Sequence, residues 1–340
     1  MKPLLNTLYV TTPDVYAQRE GMDVVISLKG NDIFRISCLT LNSVVLFGAG
    51  AVSTGLMELC HEQNLSLIFL SRSGKYVGRY QPSTQGSVLL RMRQYEIAKN
   101  TPESLHIAQI MIAGKIQNYR CSVMRYMRDH GEAPRLQEVV ELLARAKKNA
   151  LLADSAETLR GIEGFAANAY FSIFSNLILK QKDDFFIQQR LKHPSPDRTN
   201  ALLSYVYMML TYETQSALET VGLDPYVGFF HRLRPGRASL ALDVIEEFRS
   251  YLGDRLVLSL INRGQLDAKD FWQETENSCV LTEKARKTVI SEWQRRKSET
   301  IIHPYLQEKV QIGLLPYIQA LLLARYLRGD LDDYPVFVVR

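Results

Sequence analysis

Apolar residues follow two rhythms along this chain. Up to about residue 80 they come in short runs broken by polar pairs and glycines. Residues 7–11, 23–28, 32–36 and 43–47 are rich in Val, Ile, Leu and Tyr, a texture that predicts strands. Gly30-Asn31-Asp32 between two of these runs signals a turn. Residues 53–63 predict one helix with Ser53 as its cap. Residues 66–70 predict another buried strand, and Ser73-Gly74 a turn into 76–80. After Gln81-Pro82-Ser83 the texture changes. From about residue 88 apolar positions recur at spacings of three and four almost to the end, through Arg-rich amphipathic stretches at 90–99, 119–128 and 136–148. The pattern predicts an α+β chain: a small β-rich N-terminal domain, 1–85, followed by a larger all-α domain, 86–340.

Composition narrows the class. The chain has 340 residues, 46% hydrophobic and 23% charged, which suits a folded globular protein and excludes disordered or collagen-like chains. Its net charge is +5, and the small excess falls mainly in the helical part; an anionic partner fits but is not required. Cys38, Cys60, Cys121 and Cys279 are scattered with no C-x-x-C pair, which argues against zinc ribbons and redox dithiols. The N-terminal residues have no long apolar stretch of signal-peptide type, and no run approaches the roughly 20 residues of a membrane span. The expectation is a cytoplasmic protein with free thiols and no membrane partner.

Gly48-Ala49-Gly50 follows a strand and opens a helix, as in a dinucleotide-binding turn. The next strand runs into Ser71-Arg72, where an NADP-dependent oxidoreductase could hold a 2′-phosphate. Position 53 is Ser where the third Gly or Ala belongs, and no alternating β-α units follow. The competing reading, a tight turn between a strand and a packed helix, is favoured.

Three helical-part segments could carry chemistry. In GIEGFAANAYF, Glu163 sits beside an apolar face and is flanked by Gly161 and Gly164, which permit close approach of a backbone or ligand. Spacing alone favours a plainer reading, a helix start with an acidic first turn. In PDRTNALLSYVY, Asp197 is a capable cap, and Asn200 could orient a neighbour. The third segment, GLDPYVGFFHRLRPGRASLALDVIEEFR, holds His231, then a helix capped at Ser239 carrying Asp243, Glu246 and Glu247. Spacings of three and four bring these acids to one helix face. A solvated acidic face paired with Arg249 is the common outcome. Arg232, Arg234, Arg237 and Arg249 crowd the segment, and the arginine fork suits phosphate. A His with carboxylates would hold Mg²⁺ or Mn²⁺ better than a thiolate-loving metal. Beside phosphate-binding arginines, such a metal suggests phosphodiester chemistry.

These blocks, together with LLLARYLRGD near the C-terminus, resemble the CRISPR-associated endonuclease-integrase family, Cas-one, which inserts spacers into CRISPR arrays. The resemblance covers essentially the whole chain, and its details resemble the type I-C variant. It implies one metal ion, Mg²⁺ or Mn²⁺, held by Glu163, His231 and Glu246, with Asp243 close by in an electrostatic or base role; Glu247 lies in the same turn. It implies attack by the 3′-hydroxyl of an incoming double-stranded DNA fragment on a phosphodiester at the CRISPR repeat, with Arg232, Arg234, Arg237 and Arg249 against DNA. The β-rich domain would form a homodimer, and a dimer of a small companion CRISPR-associated protein would bridge two such dimers. The rival functions are a structure-specific branched-DNA nuclease without integration, an NADP-dependent oxidoreductase and a non-catalytic DNA-binding scaffold.

Overall fold

The computed structural model describes residues 7–41, 43–48, 50–71, 76–80, 88–191, 194–275 and 278–339. Ala49, Arg72, the Ser73-Gly74 turn and Gln81-Pro82-Ser83, all singled out in the sequence, lie outside them. The chain forms two compact units. The first comprises residues 1–85, 294–300 and 311–314, and the second holds the rest.

Two four-stranded sheets build the first unit. In one, β1 (Thr7–Val10) lies beside β5 (Ser43–Phe47), then β7 (Ser66–Leu70) and β8 (Tyr76–Tyr80). The first two pairings are parallel and the last antiparallel. β5, in the middle, is buried at every position, as an unbroken apolar run in a parallel sheet should be. The other sheet runs β2 (Tyr16–Glu20), β3 (Asp23–Leu28) and β4 (Asn31–Ser37) as a meander, and β6 (Ala51–Val52) pairs with β2. Only Ala17 of β2 is buried, and Gln18, Arg19 and Glu20 give its sequence no strand texture, which is why that strand was not anticipated. The β3–β4 turn falls one residue earlier than the sequence suggests. Lys29 and Gly30 both adopt positive φ, the requirement of a two-residue hairpin loop whose twist matches the strands.

The chain passes from one sheet to the other between β5 and β6. Gly48 has φ +84°, Ala51 N–H donates to the Val15 carbonyl at 2.9 Å, and a Cβ on Gly50 would lie 3.3 Å from the same oxygen. Close backbone packing therefore accounts for Gly50. α1 (Thr54–Glu62) starts only after β6, with the Ser53 hydroxyl accepting from Leu56 N–H as expected.

The second unit is mainly helical. Its early helices are α2 (Val88–Lys99), α3 (Thr101–His130), α4 (Pro134–Leu151), α5 (Ala156–Ser172) and α6 (Arg198–Thr220). α7 (Ser239–Ile245) follows a long loop, and a π-helical turn, Arg249–Asp254, leads into α8 (Arg255–Asn262). α3 is buried almost all round from Ile107 to Tyr119, the mark of a central helix. Tyr119 stacks on Tyr170 of α5 with ring centroids 4.0 Å apart. The remainder is not uniformly helical. β9 (Phe271–Thr275) and β10 (Ser278–Leu281) form an antiparallel ribbon. β11 (Thr300–Ile302) and β12 (Lys309–Gln311) form a second ribbon, between α9 (Glu283–Ser298) and α10 (Leu315–Leu327). These strands are too short to override the surrounding helical period in a sequence reading. The four cysteines are unpaired. Among the described residues no helix is long and apolar enough to cross a membrane.

Two local expectations change. The block holding Glu163 is not a helix start: α5 begins at the Ser155 cap, Glu157 is its first-turn acid, and Glu163 lies mid-helix. Ser239 does not cap α7. Ala238 stands at that position, and the Ser239 hydroxyl donates back to the carbonyls of Arg232 and Arg237. Asp197 does cap α6, accepting from Asn200 N–H at 2.7 Å.

Candidate active site

The loop before α7 is wound around one carboxylate. Phe229 and Phe230 N–H donate to Asp243 Oδ2 at 2.6 and 3.0 Å, and His231 N–H donates to Oδ1 at 2.9 Å. His231 Nδ1 lies 2.6 Å from the same Oδ1. A Cβ on Gly228 would fall 2.5 Å from Oδ2 and under 3 Å from the α7 backbone, so only glycine lets the loop close this tightly. Asp243 is fully buried, with both oxygens engaged. Asp243 positions His231, where the sequence suggests an electrostatic or base role. It fixes the imidazole and leaves Nε2 facing the opposite way, the arrangement that typically orients a metal-ligating histidine.

Nε2 faces Glu246, at 3.9 Å from Oε1. α7 has ended one residue earlier, and Glu246 occupies its C-cap. Its carboxylate is buried among cations: Arg249 Nη2 lies 3.0 Å from Oε1, and Lys115 Nζ of α3 lies 2.7 Å from Oε2. Oε2 has no hydrogen-bond partner of proper geometry. Burial alone would push this carboxyl up, but Arg249, Lys115 and His231 outweigh it and hold Glu246 well below the usual carboxylate range. Glu163 of α5 reaches the same ammonium, its Oε1 accepting from Lys115 Nζ. Lys115 is buried, while the Glu163 side chain keeps 24% of its surface exposed. Glu163, His231 and Glu246 are thus brought together, with Lys115 between the two glutamates.

The third acid points elsewhere. Glu247 accepts from Tyr334 Oη at 2.5 Å, Phe337 N–H at 2.7 Å and Gln319 Nε2 at 2.9 Å. Full burial pushes its carboxyl up to about 7 despite these donors. The three acids do not form a solvated face, because each is buried with its own partners. Arg249 also departs from the sequence expectation. Its guanidinium is buried against Glu246 and lies 4.9 Å over the Tyr207 ring, so it does not present a surface fork to DNA. Arg232, Arg234 and Arg237 do line an open cavity of about 360 Å³ with Arg160, Phe230 and His231. Asn200 is committed to structure, accepting from Leu191 N–H and Arg190 and donating to the Gln189 carbonyl and Asp197.

Among the described residues, no three His, Cys, Asp or Glu side chains already close around one point as a metal site. The donor chemistry nevertheless suits a hard divalent cation. It offers two carboxylates converging on one positive charge and an imidazole oriented from behind.

The sequence profile described as "CRISPR associated protein Cas1" matches residues 8–295. The chain belongs to the Cas1 family. It is 45% identical to "CRISPR-associated endonuclease Cas1 1" of Chlorobaculum tepidum over 343 positions, covering 100% of both chains. It is 46% identical to "CRISPR-associated endonuclease Cas1 2" of Rhodospirillum rubrum over 342 positions, covering 98% of each. The structure of a CAS1 protein from Thermotoga maritima superposes with a TM-score of 0.83 at 23% identity, over 98% of this chain and 100% of that one. A casposase bound to integration product superposes at 0.82 with 20% identity, over 98% and 94%. A chain from a Cas6-RT-Cas1–Cas2 complex superposes at 0.81 with 21% identity, covering 99% of this chain and 36% of that longer one. The β-rich region followed by a helical region is therefore the Cas1 fold.

One residue of the site and one cavity away from it were not assigned by the sequence reading. Lys115 is the lone charge in IMIAGKI, and that isolation within an apolar run was the available signal. A second basic cavity, about 760 Å³, is lined by Arg120, Arg125, Arg128, Lys147 and Arg255. Arg120, Arg125 and Arg128 lie on α3 within the Arg-rich stretch 119–128, and Lys147 of α4 and Arg255 of α8 join them only through the tertiary fold.

Proposed function

We propose that this chain is a divalent-metal-dependent DNA endonuclease and integrase of CRISPR spacer acquisition. The carrying observation is the convergence of Glu163 and Glu246 on one buried positive charge beside His231, whose other ring nitrogen is held by Asp243. Glu163, His231 and Glu246 would hold Mg²⁺ or Mn²⁺. The bound ion supplies Lewis-acid polarisation of a phosphoryl oxygen and activation of an attacking hydroxyl. Asp243 keeps the imidazole in register, and Arg249 balances the charge of Glu246 from inside the fold. Arg232, Arg234 and Arg237 flank His231 in an open cavity that suits backbone phosphates. The attacking group is the 3′-hydroxyl of a double-stranded DNA fragment for joining, or water for cleavage.

Relatives named as endonucleases support the cleavage chemistry, and the casposase neighbour supports strand joining on this fold. The neighbour from a Cas6-RT-Cas1–Cas2 complex supports a small companion protein as partner; the dimer of that companion bridging two homodimers, with the β-rich domain as the dimer contact, rests on the family resemblance. The subtype reading, type I-C, and a cytoplasmic location rest on the sequence.

The test is strand transfer. The chain and its companion are incubated with a short 3′-OH duplex and a supercoiled plasmid bearing the repeat, in Mg²⁺, Mn²⁺ or EDTA. Joined product that needs metal and is lost in Glu163→Ala, His231→Ala and Glu246→Ala is expected. Cleavage without joining would reduce the function to a branched-DNA nuclease. DNA binding with no turnover in any metal would leave a scaffold.

A further inference from the structure

Lys115 is buried in the centre of α3, and its ammonium contacts both Glu163 and Glu246. Two carboxylates, one from α5 and one from the C-cap of α7, are thus already bridged by a positive charge. The Tyr119 ring, 5.6 Å from the ammonium, offers a further weak attraction from the next turn of the same helix.

We infer that Lys115 is a built-in competitor for the divalent ion, holding the two glutamates together in the metal-free protein and opposing metal loading. This rests on the reading of Glu163, His231 and Glu246 as the metal-holding set. The argument is one of charge and space. An ion held by Glu163 and Glu246 would compete with the ammonium for the same two carboxylates, so Lys115 would have to leave or stand as a like charge at close range. Either outcome weakens metal binding relative to a site without the lysine. Conversely, removing Lys115 from the metal-free protein leaves half-buried Glu163 without this cation and buried Glu246 with Arg249 alone, which costs stability because a buried carboxylate loses one of its two compensating charges. The site thus trades metal affinity for a folded, preformed apo state, and Lys115 is the positioning residue that sets the trade.

The test is a Mn²⁺ titration of the full-length, chelator-stripped chain, read by the EPR signal of free aqueous Mn²⁺. Wild type, Lys115→Met, Lys115→Gln and Glu163→Gln are compared, each with its thermal midpoint with and without metal. The inference predicts at least tenfold tighter Mn²⁺ binding in both Lys115 variants, a lower metal-free midpoint, and a larger midpoint rise on adding Mn²⁺. Unchanged or weaker binding in a folded Lys115 variant overturns it. Lys115→Gln retains a polar group on a similar stem, so the comparison stands if Lys115→Met does not fold. Mn²⁺ binding that is indifferent to Glu163→Gln would instead overturn the metal-site reading itself.

Discussion

Glycine shows at the residue scale how differently one amino acid is used within a single site. Gly161 and Gly164 flank Glu163, and a Cβ on either would meet nothing within 4 Å. Their lack of a side chain is not spent on packing against another backbone, which leaves close approach of a ligand as the use their spacing suggests. Gly228 is the opposite case, pressed against Asp243 and the start of α7. Gly161→Ala should stabilise the chain by about 0.5–1 kcal/mol, the helix-interior difference between the two residues. Gly228→Ala should destabilise it by about 2–3 kcal/mol, near the top of the overpacking range, because the obstacles are backbone and a buried carboxylate. Urea denaturation of the two variants reads both signs. A neutral Gly228→Ala would contradict the tightly closed loop. The same contrast shows what the sequence could convey. Glu163, His231 and Glu246 could be named from motif resemblance, whereas the tasks of Asp243, Glu247 and Arg249 depend on which way each side chain leaves a turn. Spacings of three and four assume a continuing helix, and α7 ends at Ile245, so the three acids diverge instead of sharing a face.

At the element scale, the site depends on how α3 and α7 are joined to the segment 334–339. Asn118 of α3 donates to the carbonyls of Glu247 and Phe337 and accepts from Val339 N–H. A Cβ on Gly114 would collide with Val336. Glu247 completes this clasp from the residue next to Glu246. Its folded-state pKa, about 7 against an ordinary 4.5, makes the clasp pH-sensitive. Below pH ~4.5 the carboxyl is protonated in both folded and unfolded chains, and its contribution to stability is complete. Between ~4.5 and ~7 the unfolded chain has released the proton and the folded chain has not, so stability falls as pH rises, by about 1.4 kcal/mol per unit. Glu247→Gln should remove a slope amounting to roughly 2–3 kcal/mol across that window. The wild-type minus variant difference in unfolding free energy from pH 4.5 to 8 measures it, and a flat difference would contradict the burial argument. None of this clasp was legible beforehand, since residues 118, 247 and 334–339 are brought together only by the tertiary fold.

For the whole molecule, the change of apolar period near residue 85 predicts a β-rich part followed by a helical one, whereas the first compact unit also takes in residues 294–300 and 311–314 from the far end of the chain. The two ribbons at 271–281 and 300–311 are short enough to vanish into the helical texture around them. The modest net charge of +5 conceals concentrated positive clusters, around His231 and along α3, that no average reveals. The fold's central task is to deliver an acid from α5, a histidine from the loop before α7 and an acid from the end of α7 to one place. Anomalous diffraction from crystals soaked in Mn²⁺ tests that claim most directly. The account predicts a single strong peak within coordination reach of Glu163, His231 Nε2 and Glu246, absent from Glu163→Gln crystals. A peak at other side chains, or one that survives Glu163→Gln unchanged, would contradict it.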